Sequence, residues 1–153
     1  MQCKSEFGMT VCNSMNIIEV SAGIICRGDK VMLAQRPPGS RHAGMWEFPG
    51  GKLEKGETPV KCLERELSEE LDIDIVASDT VFVHEHVIDD ADCLKLYFIE
   101  CRIDGECEPS PAVGQGIVWS VPEDLLSYEL LEPDRCAIQY LIDRRKKKNC
   151  LSW

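Results

Sequence analysis

Between Ile17 and Cys26 the chain is rich in β-branched residues, then Gly28-Asp29 breaks the run and a second apolar stretch extends from Val31 to Gln35. Two such runs separated by a turn signal predict paired strands. Arg36-Pro37-Pro38-Gly39-Ser40 reads as a loop leading to a short strand at Trp46–Phe48, and Pro49-Gly50-Gly51 reads as a turn that ends it. The period then changes. Val60, Leu63, Leu67 and Leu71 recur at helical spacing, and Thr58 followed by Pro59 supplies an N-cap and a first helical residue with a preset backbone angle. Beyond this helix, Ile73–Val87 predicts a strand region interrupted near Ser78-Asp79. Asp89-Asp90-Ala91-Asp92 predicts a solvated hairpin tip, and Cys93–Ile103 the returning strand. A loop over Gly105–Gly116 precedes a last strand at Ile117–Val121 carrying Trp119. A helical turn at Pro122–Leu126 follows, then a final helix opened by Pro133 with Ala137, Ile138, Leu141 and Ile142 as its apolar stripe.

Strands flanking one helix and followed by another predict a single α/β or α+β domain, and 44% hydrophobic residues in 153 can fill one core. Residues 1–15 show no periodicity and are expected to be a disordered extension, with the folded domain spanning 16–153. The formal net charge of -10 argues against a protein that grips a nucleic-acid backbone, which needs a basic face. The basic run Arg144–Lys148 is read as cations complementing the dipole at a helix C-terminus. No apolar run is long enough to span a membrane, and no signal peptide is evident, so a cytoplasmic protein is expected. Nine cysteines without a C-x-x-C pair are read as reduced thiols packing as small hydrophobes, Cys62 among them in a passive role. His84 and His86 alternate on one strand face with no third ligand in view, which suits packing or surface positions better than a metal site.

One helix face carries the chemistry. Glu66, Glu69 and Glu70 fall close together at roughly 100° per residue, and like charges at these spacings destabilise a helix by a few tenths of a kcal/mol per pair, roughly. A divalent cation would offset that repulsion, and all-oxygen ligation suits Mg²⁺, with Mn²⁺ as a substitute.

The spacing G-x5-E-x7-R-E-L-x-E-E, from Gly51 through Glu57 to Arg65-Glu66-Leu67-Ser68-Glu69-Glu70, resembles the Nudix box, and WEFPGGKLEKGET around it resembles the MutT branch. Asp72 stands where the family usually has Gly, at a position wanting a left-handed backbone. The resemblance implies an α/β Nudix fold, a mixed sheet in an α/β/α sandwich. It implies Mg²⁺-dependent hydrolysis of a nucleoside triphosphate to monophosphate and pyrophosphate. The substrate class would be an oxidised nucleotide such as 8-oxo-dGTP, or a CTP-type nucleotide. By the family pattern, Glu66, Glu69 and Glu70 are metal ligands together with the carbonyl of Gly50 or Gly51. Arg65 orients Glu66, Glu57 tethers the loop to the helix, and Lys52 faces phosphate or Glu57.

For substrate binding, Arg36 matches a nucleotide-contacting arginine, and Asp134 falls where MutT carries a base-reading asparagine. Phe48 and Trp46 offer stacking surface or core packing. MutT-like enzymes often place a further glutamate in the loop before the last core strand, where this chain has Val113. Glu106, Glu108, Glu66 or Glu69 are then the candidates for general base. An ionised Asp134 would favour a base edge bearing donors, whereas a buried, protonated one would regain a donor of its own. The competing readings are a hydrolase of ADP-ribose or a dinucleotide, and a base-recognition module without catalysis. A small-molecule nucleotide is the expected partner, to a monomer or homodimer.

Overall fold

The computed structural model describes residues 14–150, so the expectation for the N-terminal extension falls almost wholly outside the described residues. Seven strands form a mixed sheet: β1 (Asn16–Arg27), β2 (Lys30–Gln35), β3 (Trp46–Glu47), β4 (Gly50–Lys52), β5 (Ile75–Val87), β6 (Asp92–Ile103) and β7 (Ile117–Ser120). The helices are α1 (Pro59–Leu71), α2 (Pro122–Leu125) and α3 (Glu132–Cys150). The main path runs β3-β2-β1-β6-β5, with β4 against β1 and β7 against β2. The long β1–β6 pair is parallel, and the other pairings are antiparallel.

Strand β1 explains the layering. Residues Ser21–Ile25 are buried without a break, as befits a strand covered on both faces. Ile24 packs with Phe98, Ile138, Leu141 and Leu125 under α2 and α3, while its neighbour Ile25 packs with Leu63, Leu67, Leu71 and Ile99 under α1. Alternation along one strand thus feeds two cores, one on each side of the sheet, and the arrangement is the expected α/β/α sandwich.

The helix signals operate as expected. Thr58 Oγ1 accepts the Lys61 N–H at 3.2 Å at the start of α1. Asp72 closes the helix in the left-handed region at φ 55°, its N–H returning to Leu67 and Ser68 carbonyls.

Two expectations need correction. Gly50-Gly51 does not merely turn: with Lys52 it forms β4, in antiparallel register with Val20–Ala22. A Cβ on Gly50 would collide with the Ser21 carbonyl oxygen, so the missing side chain is what lets this strand approach β1. Second, Cys93 and Cys136 each take part in a disulfide, so among the described residues the expectation of reduced thiols holds for Cys26, Cys62, Cys101 and Cys107. Spacing along a sequence does not show which sulfurs the fold brings together. Among the described residues, no helix is long and apolar enough to cross a membrane.

Candidate active site

The site is assembled where β4 lies between β1 and the first turns of α1. Gly23 N–H donates to the Pro49 carbonyl at 2.7 Å and Leu53 N–H to the Glu19 carbonyl at 3.0 Å. By antiparallel alternation, Gly51 faces Ser21 with both backbone groups, while the carbonyls of Gly50 and Lys52 point away from β1. The Lys52 carbonyl accepts Arg65 Nη2 at 3.2 Å on that side.

Arg65 is the hub. Its Nε and Nη2 bind the two oxygens of Glu57 at 2.8 and 3.0 Å, and Nη1 binds Glu66 Oε1 at 2.9 Å. Nη1 also lies 3.5 Å from Glu69. Glu57 in turn accepts the Glu54 N–H at 2.9 Å, which ties the loop before α1 into the same network. The Arg65 guanidinium and this N–H hold the Glu57 carboxyl down at about 2, and the same carboxylates push Arg65 further into its charged form. These are contacts through which Arg65 could orient Glu66 and Glu57 could tether the loop. Lys52 behaves differently: its side chain is exposed, and its carbonyl is what the network uses.

Glycine at position 51 has a separate steric effect. A Cβ there would meet the carboxyl carbon of Glu66, with Oε1 and Oε2 at 2.5 and 2.6 Å. The bare backbone at Gly51 is what lets the Glu66 carboxylate sit where it does against β4.

Glu70 completes the acidic face. Burial first, then the charges of Glu66 and Glu47, raise its carboxyl to about 7. That crowding marks a place where negative charge is under-compensated, and its donors are oxygens alone, which suits a hard divalent cation. Among the described residues, no three donors form a ready-made cage. Arg65 instead spans Glu66 and Glu69.

Glu47 is the residue that sequence reasoning missed. It is held by Arg36 Nη1, which reaches both of its oxygens at 3.1 Å, and burial raises its carboxyl despite that partner. Its charge acts on both Glu70 and Asp134, so it links the two halves of the site. The available signal was a lone charge between Trp46 and Phe48 in a short strand, where alternation turns it away from both aromatic rings.

Arg36 also donates Nε–H to the Arg41 carbonyl at 2.6 Å. Phe48 is core, 3% exposed and edge-to-face with Phe98, so its ring is not a stacking surface. Its N–H donates to Asp134 Oδ1 at 2.8 Å. Trp46 packs edge-on to Tyr128 at 5.3 Å. Asp134 is 4% exposed, and burial together with the Glu47 charge lifts its carboxyl to about 8 against the pull of the Phe48 N–H.

Val113 is fully exposed. Glu108 pairs with Arg27 at 3.0 Å, and Arg27 lies roughly 20 Å along β1 from Ser21, the residue opposite Gly51. That glutamate serves the far end of the sheet. Glu106 lines a shallow cavity at the same end with Arg27 and Arg102. His84 and His86 stack in a row with Phe82 and Tyr140, as packing residues would.

Comparison with known proteins places this geometry. A family model described as a NUDIX domain matches residues 21–140, a span holding every site residue named above. The chain is 38% identical over 120 residues to the CTP pyrophosphohydrolase of Escherichia coli K12, covering 78% of this chain and 87% of that protein. It is 41% identical over 83 residues to the 8-oxo-dGTP diphosphatase of Proteus vulgaris, covering 54% and 74%. Among solved structures, the solution structure of the E. coli ORF135 protein matches with a TM-score of 0.72 at 36% identity, over 86% of this chain and 93% of that one.

Proposed function

The chain belongs to the Nudix family of hydrolases, and from that premise we propose a Mg²⁺-dependent nucleoside triphosphate pyrophosphohydrolase. The reaction is NTP + H₂O to NMP + pyrophosphate, on a CTP-type or oxidised guanine nucleotide. The observation that carries this reading is the Arg65 network, which gathers Glu57, Glu66 and Glu69 against a β4 backbone that only glycine permits.

In this reading Glu66, Glu69, Glu70 and the outward carbonyl of Gly50 hold the cation. When bound, Mg²⁺ supplies neutralisation of the phosphate oxygens and makes a neighbouring water more acidic. The chain's own groups do the positioning. Arg65 fixes the rotamer of Glu66 and shares its charge with Glu69, and Glu57 fixes Arg65. Glu69, with a side chain 62% exposed, is the carboxylate open enough to take a proton from an attacking water.

Arg36 and Glu47 form the wall between the acidic face and the base side. Asp134 is assigned to base reading in its protonated form. With Oδ1 taken by Phe48, its hydroxyl supplies a donor to a carbonyl edge of the base. Of the two alternatives for Asp134, ionised acceptor and buried protonated donor, this reading takes the second.

The substrate class is favoured by a relative that covers 78% of the chain, a CTP pyrophosphohydrolase. The test is Mg²⁺-dependent product formation: pyrophosphate from CTP, dCTP, 5-hydroxy-dCTP, dGTP and 8-oxo-dGTP, and AMP with ribose 5-phosphate from ADP-ribose. Preference for one triphosphate supports the reading. Turnover of ADP-ribose alone would replace it with a diphosphate hydrolase, and base affinity without turnover would replace it with a binding module.

A further inference from the structure

Two polar side chains bolt the first turn of α1 onto the sheet, and neither is a fixed position of the box motif. Ser21 on β1 is fully buried, and its hydroxyl donates to the Pro59 carbonyl at 2.6 Å. One turn on, Cys62 is also fully buried, and its thiol donates to the Gly51 carbonyl at 3.4 Å. On its other side the same sulfur accepts Arg65 Nη2 at 3.8 Å. Ser21 is itself the β1 partner of Gly51. The thiol therefore connects the guanidinium that orients Glu66 to the backbone on which the Glu66 carboxylate rests.

An apolar side chain of similar size could fill the buried Cys62 position. It would leave the Gly51 carbonyl to its strand partner alone, and Arg65 without a contact on that side. The separation between β4 and α1 sets the clearance between Gly51 and Glu66, where the Glu66 carboxylate already occupies the space a Cβ on Gly51 would take.

We propose that Ser21 and Cys62 are positioning residues, a buried strut that sets the spacing of β4 and α1 and thereby aligns the Gly50 carbonyl with Glu66. This inference rests on the reading of those groups as metal ligands. Neither residue touches substrate. Their effect passes through Gly51 and Arg65.

The test compares Cys62→Ala, Cys62→Ser and Ser21→Ala with Cys101→Ala, a buried cysteine under α1 that makes no contact with the site. Mn²⁺ affinity is measured by calorimetry, alongside kcat and KM on the triphosphate the wild type prefers. Groups behind a metal ligand carry about 10–100-fold in affinity or activity, and the strut, made of weak bonds, is expected at about tenfold. Cys62→Ala should lower kcat and Mn²⁺ affinity by about that factor with KM little changed, and Cys62→Ser should recover most of both. Cys101→Ala should lower the melting temperature while leaving kcat and Mn²⁺ affinity at wild-type values.

Cys62→Ala matching Cys101→Ala, or Cys62→Ser no better than Cys62→Ala, overturns the proposal. Should Cys62→Ala not fold, Ser21→Ala decides: unchanged Mn²⁺ affinity overturns the strut. A wild type that binds Mn²⁺ but hydrolyses no triphosphate overturns the nucleotide reading and leaves the strut to be judged on affinity. A wild type that does neither overturns both.

Discussion

Replacing Asp134 with asparagine isolates one buried proton. The side chain is 4% exposed, and its carboxyl is raised from 3.8 to about 8, chiefly by burial and with help from Glu47. Because the folded pKa lies above the unfolded one, the stability this group supports is complete below about pH 4. It is lost as the pH climbs towards 8, while the unfolded chain gives up a proton that the native state keeps. The slope in that window is at most about 1.4 kcal/mol per pH unit. Between pH 5 and pH 7 that accumulates to no more than about 3 kcal/mol, and at roughly 2–4 °C per kcal/mol for a domain this size it corresponds to about 5–10 °C.

Asp134→Asn keeps an Oδ1 to accept the Phe48 N–H, adds no charge and is indifferent to pH in this range. Thermal melts of both proteins from pH 4 to pH 8 should give nearly equal midpoints at the acid end. The asparagine variant should then gain steadily, by several degrees, up to neutrality. A gap between the two that stays constant with pH would mean that Asp134 is ionised in the folded protein. That result would refute both the burial argument and its assignment as a donor.

The other predictions concern the opposite side of the site. Gly50→Ala drives a methyl group into the Ser21 carbonyl and should cost more than about 2 kcal/mol in a denaturant titration. Gly51→Ala meets the movable Glu66 carboxylate instead, so kcat should fall at least about tenfold with a smaller loss in melting temperature. Arg65→Lys removes the fork that holds Glu57 at 2.8 and 3.0 Å while keeping the charge, and steady-state kinetics should show about a tenfold or greater fall in kcat. Glu108→Gln, which breaks only an exposed pair with Arg27, should leave turnover within about twofold of wild type. A larger effect there would return Glu108 to candidacy as the base.

What the sequence disclosed follows the range of the forces involved. The α1 cap, its apolar stripe and the left-handed Asp72 are local, set by residues within a turn of each other, and all are found where the pattern puts them. An Arg65 contact with Glu66 and a tether from Glu57 to the helix were legible only through the resemblance to the box, while the pairing of Glu57 with Arg65 itself, eight residues on, comes from the fold. Strand β4 was not legible, since a Pro-Gly-Gly run signals a break unless one knows that another backbone lies against it. Glu47 was hidden for a related reason: its importance comes from Arg36, Glu70 and Asp134, which approach it from three different elements. Phe48 fits either surface or core by sequence, and only the packing of its ring against Phe98 decides for the core. Likewise the protonation of Asp134 depends on a burial that only the seating of α3 on the sheet creates.

The central claim is that the α1 carboxylates, organised by Arg65, carry metal-dependent release of pyrophosphate. It is tested most directly by identifying the products of CTP and 8-oxo-dGTP with wild type and Glu66→Gln, each with Mg²⁺ and with chelator. The account predicts monophosphate and pyrophosphate from at least one of them with Mg²⁺ and wild type only, and a fall of at least about a hundredfold in Glu66→Gln. Orthophosphate as the product, turnover that survives the chelator, or a Glu66→Gln variant within a few-fold of wild type would contradict it.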